Sequence, residues 1–113
     1  MSESVCSLEA KSCKPCEGGV APLAGDELDR LLGELNGWTQ QDGQLVKLYT
    51  FTNYYQTIAF VNAIAWISHR EDHHPDLEVG FNQCRVRYVT HAIGGLSEND
   101  FICAAKIDRL SAA

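Results

Sequence analysis

Basic residues, long apolar runs and targeting signals are all scarce in this sequence. Lys and Arg number 9 against 15 Asp and Glu, and the resulting net charge of -6 opposes binding to a phosphate backbone. No apolar run approaches the roughly 20 residues that span a bilayer. Residues 1–5 have neither the basic nor the apolar segment of a signal peptide. We therefore expect a cytoplasmic protein that has neither nucleic acid nor a membrane as a partner.

The five cysteines do not indicate a disulfide framework, because their number is odd and no secretion signal accompanies them. Cys13 and Cys16 form a C-x-x-C motif that lacks the flanking strand and helix of a redox site. It also lacks the second half of a zinc site, although Cys6 and a histidine or another subunit could complete one. Reduced thiols are the simpler interpretation.

Two regions differ in composition. Residues 1–24 are rich in Ser, Gly, Pro and Cys, and we predict a flexible, Cys-containing N-terminal arm there. Residues 25–113 are predicted to form a single domain whose elements follow one another in the order α-β-β-α-β-β-α. The predicted helices cover residues 26–36, 54–72 and those after Ser97, and the predicted strands cover residues 38–41, 45–52, 77–81 and 84–91. This order predicts an α+β fold, with an antiparallel four-stranded sheet and helices packed on one face.

Local signals define several of these boundaries. The pair Asp42-Gly43 is a strong two-residue hairpin signal. Asn53 is a suitable N-cap for the central helix, and Pro75 disfavours helical backbone at the residue before it. This helix is apolar on nearly every side, so we expect a second covering surface from another subunit or from the first helix.

All four histidines lie between residues 69 and 91, at His69, His73, His74 and His91. Imidazole exchanges protons near neutral pH, so this concentration indicates a proton-transfer or metal site. His69 and His73 are four residues apart on the predicted helix and should share a face. The strand over residues 84–91 could return His91 to the same end of the sheet.

Two other interpretations of the histidines remain open. Three histidines with an open position would suit catalytic zinc, although adjacent ligands such as His73 and His74 are awkward for one tetrahedral ion. Glu71 stands one place too late for an H-E-x-x-H motif. Alternatively, the histidines only cap a helix C-terminus. Asp72 and Asp100 could orient an imidazole, although Asp100 also suits an acidic capping box opened by Ser97.

The spacing of these elements resembles the pterin-4a-carbinolamine dehydratase family, and the resemblance covers residues 25–110. The matching positions are His69, His73-His74-Pro75, Phe81, Thr90-His91 and the run Gly95-Leu96-Ser97-Glu98-Asn99-Asp100. The family often has glutamate at the first position, where this chain has His69. Relatives can carry arginine where this chain has Asn99. The arm is similar to that of some bacterial members.

The resemblance implies a hydro-lyase that dehydrates 4a-hydroxytetrahydropterin to quinonoid dihydropterin in tetrahydrobiopterin recycling. It implies catalysis by His73, His74 and His91, with substrate binding or support from Asp72, Pro75, Asp100 and His69. It implies no metal and no organic cofactor, a small pterin as substrate, and a homodimer or homotetramer. It also suggests a functional link to an aromatic amino acid hydroxylase. The alternative on the same fold is a non-catalytic protein-interaction or assembly module.

Overall fold

Four strands form one antiparallel sheet in a computed structural model that describes residues 7–15 and 20–111. Within these ranges the helices are α1 (Gly25–Gly33), α2 (Tyr54–Glu71) and α3 (Glu98–Ser111). The strands are β1 (Thr39–Gln41), β2 (Gln44–Thr50), β3 (Asp76–Val79) and β4 (Gln83–Tyr88), arranged in the order β1-β2-β4-β3. Two single turns of 3-10 helix lie at Leu8–Ala10 and His91–Ile93. The predicted α+β fold and element order are confirmed.

The hairpin between β1 and β2 follows directly from its sequence. Asp42 and Gly43 both have positive φ, at 52° and 75°. A turn with two such residues matches the right-handed twist of the strands it joins, and Asp-Gly adopts it at low cost. The hairpin pairs Gln41 with Gln44 and fixes the register of the two strands.

The core lies between one face of the sheet and the helices. Along β4 every second side chain, from Cys84 through Val86 to Tyr88, is fully buried, as the two-residue period of a strand requires. Helix α3 contributes a larger set of buried residues: Phe101, Ile102, Cys103, Ala104, Ala105 and Ile107. Fully burying one large apolar side chain contributes about 1.5–3 kcal/mol, so this contact between sheet and helix is a major source of stability.

Helix α2 begins as the sequence predicts, because Asn53 Oδ1 accepts a hydrogen bond from the Gln56 amide at 2.9 Å. One side of the helix packs into the core through residues such as Phe60 and Ile64. The opposite side is left open by residues 7–15 and 20–111, since Tyr55 is 81% exposed and Trp66 is 62% exposed. The expected second covering surface is therefore not supplied by α1.

Two expectations about the positions of the histidines are wrong. Helix α2 ends at Glu71 and Asp72 has left-handed backbone with φ of 52°, so His73 lies beyond the helix and does not share a face with His69. Strand β4 ends at Tyr88, and His91 lies in a 3-10 turn instead of on the strand. The strand ends three residues before the predicted His91, whereas α2 ends within one residue of the predicted Asp72.

Part of the predicted arm packs against α3. Leu8 is only 4% exposed, and Lys106 Nζ donates to the Glu9 carbonyl at 2.8 Å. Cys6 and Cys16 lie outside the described residues, and so does any zinc site that would need them. The division into a flexible arm and one domain stays a prediction. Within the described ranges, no helix is both long and apolar enough to cross a membrane.

Candidate active site

Asp100 is fully buried and receives three hydrogen bonds. The Ser97 amide and the Thr90 hydroxyl donate to Oδ2 at 3.0 and 2.8 Å, and Oδ1 lies 2.6 Å from His73 Nε2. Ser97 Oγ in turn accepts from the Asn99 amide at 3.2 Å, which confirms the acidic capping box at the start of α3. The Asp100 carboxylate therefore caps α3 with Oδ2 and contacts His73 with Oδ1.

His73 owes its position to the left-handed residue before it. Asp72 ends α2, and the His73 amide then bonds the Ser68 carbonyl at 3.2 Å. The imidazole stacks on the Tyr88 ring, with centroids 5.5 Å apart and planes 12° from parallel. With Nε2 directed to the Asp100 carboxylate, Nδ1 is the ring nitrogen left for a substrate.

The surroundings of His73 act on its pKa in opposite directions. Burial of the ring lowers the pKa, whereas the hydrogen bond and the negative charge of Asp100 raise it. Burial is the largest single influence, but Cys103 and Asp72 act in the same direction as Asp100, and together these groups keep the pKa of His73 above its ordinary value of about 6.5. His73 is therefore suited to hold a proton near neutral pH and to release it to a departing group.

His91 lies on a short loop that the sheet end holds in place. The Thr90 amide donates to the Gly95 carbonyl at 2.9 Å, and Gly94 closes the 3-10 turn with φ of 68°. The Thr90 side chain meanwhile points inward to Asp100. Thr90 thus contacts the carboxylate that holds His73, and the next residue, His91, lies at the surface.

A cleft of about 610 Å³ brings most of these groups together. Its lining comes from four parts of the chain: Cys13, Lys14, Pro15; Arg70, Glu71, Asp72, His73, His74; Val89, Thr90, His91, Ala92; and Asn99. The volume falls within the range of small-molecule sites. The exposed His74 has Nδ1 3.4 Å from the Pro75 carbonyl. The cleft therefore presents three imidazoles, and a buried carboxylate lies directly behind one of them.

His69 is the predicted site residue that this arrangement leaves out. It is exposed, does not line the cleft, and lies against Trp66 with ring centroids 5.8 Å apart. The left-handed Asp72 after the end of α2 explains why His69 and His73 are separated, because the chain changes direction there. Pro75 contributes its carbonyl beside His74 and is not part of the cleft lining.

A family model described as pterin 4 alpha carbinolamine dehydratase matches residues 21–110. The chain belongs to this family. A Nitrosomonas eutropha protein that bears the name pterin-4-alpha-carbinolamine dehydratase is 62% identical to this chain, and a Nitrosospira multiformis protein of the same name is 60% identical to it. These matches cover 95% and 97% of this chain, and 96% and 97% of the relatives.

Two solved structures have similar folds. A transcriptional coactivator/pterin dehydratase from Brucella melitensis matches with a TM-score of 0.76 and 25% identity, over 79% of this chain and 97% of that one. A pterin dehydratase-like protein identified as a RuBisCO assembly factor in the alpha-carboxysome matches with a TM-score of 0.57 and 26% identity. That match covers 67% of this chain and 88% of the neighbour.

Several residues in or behind this dehydratase-family cleft were not predicted as site residues. Tyr88 supports His73 by stacking, and Thr90 supports Asp100 by hydrogen bonding. The strand alternation places both on the buried face, and that pattern could have identified them. Residues 13–15 of the arm gave no comparable signal, because only tertiary contacts bring them to the cleft. Among the described residues no group of three or more His, Cys, Asp or Glu is arranged to hold a metal ion.

Proposed function

We propose that this protein dehydrates 4a-hydroxytetrahydropterin to quinonoid dihydropterin and water by histidine acid–base catalysis. The observation that carries the proposal is the cleft in which His73, backed by the buried Asp100, and His91 are both available to one ligand. Membership of the family and the names of the close relatives support the same substrate class.

The proposed chemistry needs two proton transfers. The bond between C4a and its hydroxyl oxygen breaks as an acid delivers a proton to that oxygen, and water leaves. The ring N–H loses its proton, and its electrons form the new C=N bond. We assign these two transfers to His73 and His91, and general acid–base catalysis of this kind typically contributes about 10²–10⁴-fold.

The remaining residues have supporting roles in this proposal. His74 binds and orients the pterin ring, and Pro75 fixes the backbone that carries it. Asp100 keeps His73 protonated, and the charge of Asp72 acts on the His73 pKa in the same direction. No step requires a metal or an organic cofactor. The proposed setting is tetrahydrobiopterin recycling in the cytoplasm, in functional connection with an aromatic amino acid hydroxylase.

The alternative function is a non-catalytic interaction or assembly module. Its support is the similar fold of a pterin dehydratase-like protein identified as a RuBisCO assembly factor. A scaffold of that kind would have no need for a protonated imidazole held by a buried carboxylate. The two functions differ in whether histidine replacement changes a catalysed rate.

The first test measures dehydration of freshly generated 4a-hydroxytetrahydropterin by ultraviolet absorbance in a buffer that contains a chelator. We expect the wild type to exceed the uncatalysed rate and His91→Gln to lose most of that excess. His69→Gln is the matched control, because this histidine lies outside the cleft and its replacement should keep the wild-type rate. Equal catalysed rates for the wild type and His91→Gln would contradict the role of His91, and a folded wild type no faster than the uncatalysed background would favour the interaction module.

A further inference from the structure

Residues Cys13 to Pro15 of the N-terminal segment line the same cleft as the three histidines. We propose that these three residues form a substrate-binding wall that sets the affinity for the pterin, and that Asn99 is the positioning residue that holds it. This inference rests on the proposed function and deepens it. It assigns a role to a segment that lies outside the resemblance in residues 25–110 and to a position where relatives can carry arginine.

Asn99 holds Lys14 by both of its backbone groups. The Lys14 amide donates to Asn99 Oδ1 at 3.0 Å, and Asn99 Nδ2 donates to the Lys14 carbonyl at 2.6 Å. The amide side chain thus forms a two-point contact with one residue of the wall. Such a contact fixes both the position and the rotation of the backbone, and Asn99 itself is only 9% exposed. Alanine could supply neither bond.

Glu71 holds the preceding residue. Its Oε1 accepts from the Cys13 amide at 2.8 Å, and its Oε2 lies 3.7 Å from Lys106 Nζ. The Glu71 side chain is 9% exposed, so this contact is shielded from solvent. Two consecutive backbone amides of the wall, at Cys13 and Lys14, are therefore each held by a side chain of the folded domain.

The wall is attached beside the groups that position the catalytic histidine. Asn99 directly precedes Asp100, and Glu71 directly precedes the left-handed Asp72. The first turn of α3 therefore supports the wall with one residue and His73 with the next. This adjacency gives the wall a fixed place relative to His73.

A preformed wall mainly affects substrate binding. Ligands lose less entropy when the groups that contact them are already ordered, and a few polar groups at fixed positions orient the ligand. Lys14 is exposed and adds a positive charge to a cleft that also contains Arg70. The His73–Asp100 pair does not depend on either bond to Lys14. Loosening the wall should therefore raise KM and leave kcat largely unchanged.

The experiment compares the KM and kcat of Asn99→Ala, Lys14→Gln and Arg109→Gln with those of the wild type. Arg109 is the matched control, because it joins the same segment to α3 through Glu9 at 2.6 Å and does not line the cleft. We expect Asn99→Ala to raise KM by about tenfold, consistent with two lost hydrogen bonds. Lys14→Gln should raise KM less, Arg109→Gln should not raise it, and kcat should stay within about twofold throughout.

A combined variant tests whether Asn99 acts through Lys14. In the Asn99→Ala background, Lys14→Gln should add less to KM than it does in the wild type, because the wall is already loose. Full additivity, an unchanged KM in Asn99→Ala, or a loss confined to kcat would overturn the proposal. Thermal melting of each variant identifies loss of folding, and Lys14→Gln, at an exposed side chain, tests the wall without disturbing the interior.

A binding titration keeps this inference separate from the proposed function. The probe is 7,8-dihydrobiopterin, a stable pterin, added to the wild type and to Asn99→Ala while tryptophan fluorescence is recorded. If the wild type is catalytically inactive but binds the probe, and Asn99→Ala binds it about tenfold more weakly, the wall is supported and the dehydratase function is not. Equal affinity of the two proteins, or no binding by the wild type, would overturn the wall.

Discussion

At the scale of single residues, two opposing influences determine the proton affinity of His73. Burial, the largest single influence, favours the neutral imidazole, and Asp100 opposes it through a 2.6 Å hydrogen bond and its negative charge, so that together with Cys103 and Asp72 it raises the pKa. Thr90 and Ser97 occupy the other carboxylate oxygen, so Asp100 has one oxygen directed to His73. The proton affinity of His73 is therefore set largely by the residues that surround its ring and the Asp100 carboxylate.

The replacement Asp100→Asn should lower the pKa of His73. It removes the charge that raises the pKa and leaves the burial that lowers it. A reaction that needs protonated His73 slows as pH rises through that pKa, so the alkaline limb of the rate profile should move to lower pH. Imidazole proton shifts in nuclear magnetic resonance spectra would report the pKa directly.

Thr90→Val is the matched comparison for Asp100→Asn. It removes a hydrogen bond to Oδ2 and leaves the carboxylate charge facing His73. We expect the alkaline limb of the pH–rate profile to move less in Thr90→Val than in Asp100→Asn. A His73 pKa that is unchanged or raised in Asp100→Asn would contradict this account of the pair.

At the scale of elements, the loop that carries His91 depends on close packing at Gly95. A Cβ at this position would lie 2.7 Å from the Pro22 Cβ. The Thr90–Gly95 bridge would then have to shift, and His91 would shift with it. We expect Gly95→Ala to reduce the catalysed rate and the melting temperature together.

Gly33→Ala is the control for that substitution. Gly33 lies in α1, and a Cβ there would meet no atom within 4 Å. Alanine is the better helix former, so this variant should keep its activity and melt at the same or a higher temperature. Wild-type activity and stability in Gly95→Ala would show that the loop does not need the close approach to Pro22.

The contact between the N-terminal segment and α3 can be tested by chemical trapping. The sulfur atoms of Cys13 and Cys103 lie 3.5 Å apart, and their shared hydrogen bond lowers the pKa of Cys103 and raises that of Cys13. The thiol-oxidising reagent diamide should join the two in a protein whose Cys6 and Cys16 are replaced by serine. Mass spectrometry of the digested protein should then find the cross-linked peptide. Its absence from the native protein, with cross-linking only after unfolding, would contradict the placement of residues 7–15.

The elements differ in how far the sequence predicts them. Asp42-Gly43 predicts the hairpin, and Ser97 with Asp100 predicts the start of α3, because the residues that make these structures are adjacent in sequence. The left-handed backbone of Asp72 is unusual for a residue other than glycine and is not apparent from periodicity. His91 leaves the strand because of a bridge to Gly95 that local pattern does not show. His69 was predicted at the site from the family resemblance and from a helix face shared with His73, and the left-handed Asp72 removes that shared face.

At the scale of the whole molecule, the cleft is assembled from segments that are distant in sequence. The N-terminal segment, the end of α2, the loop after β4 and the first turn of α3 all contribute to its lining. In the proposed function these segments supply the substrate wall, the imidazoles that transfer protons and the residue that holds the wall. The sequence predicted that histidines from separate elements would meet, and the fold shows that α3 is the element that connects them.

The exposed side of α2 supports the proposal that the protein is a homodimer or homotetramer. Trp66 is 62% exposed, and aromatic residues are enriched at protein–protein interfaces relative to the rest of the surface. We expect light scattering with size-exclusion chromatography to give the mass of a dimer or tetramer for the wild type. Trp66→Lys should lower that mass, and Arg30→Gln, on the exposed surface of α1, should not. A monomeric wild type would contradict the proposed assembly.

The central claim is that His73 and His91 jointly catalyse dehydration of the pterin. The most direct measurement follows freshly generated 4a-hydroxytetrahydropterin by ultraviolet absorbance, in chelator-containing buffer, with the wild type and with His73→Ala/His91→Ala. We predict catalysis by the wild type and, from a folded double variant, a rate no higher than the uncatalysed background. A double variant as active as the wild type, or a folded wild type without activity, would contradict the claim.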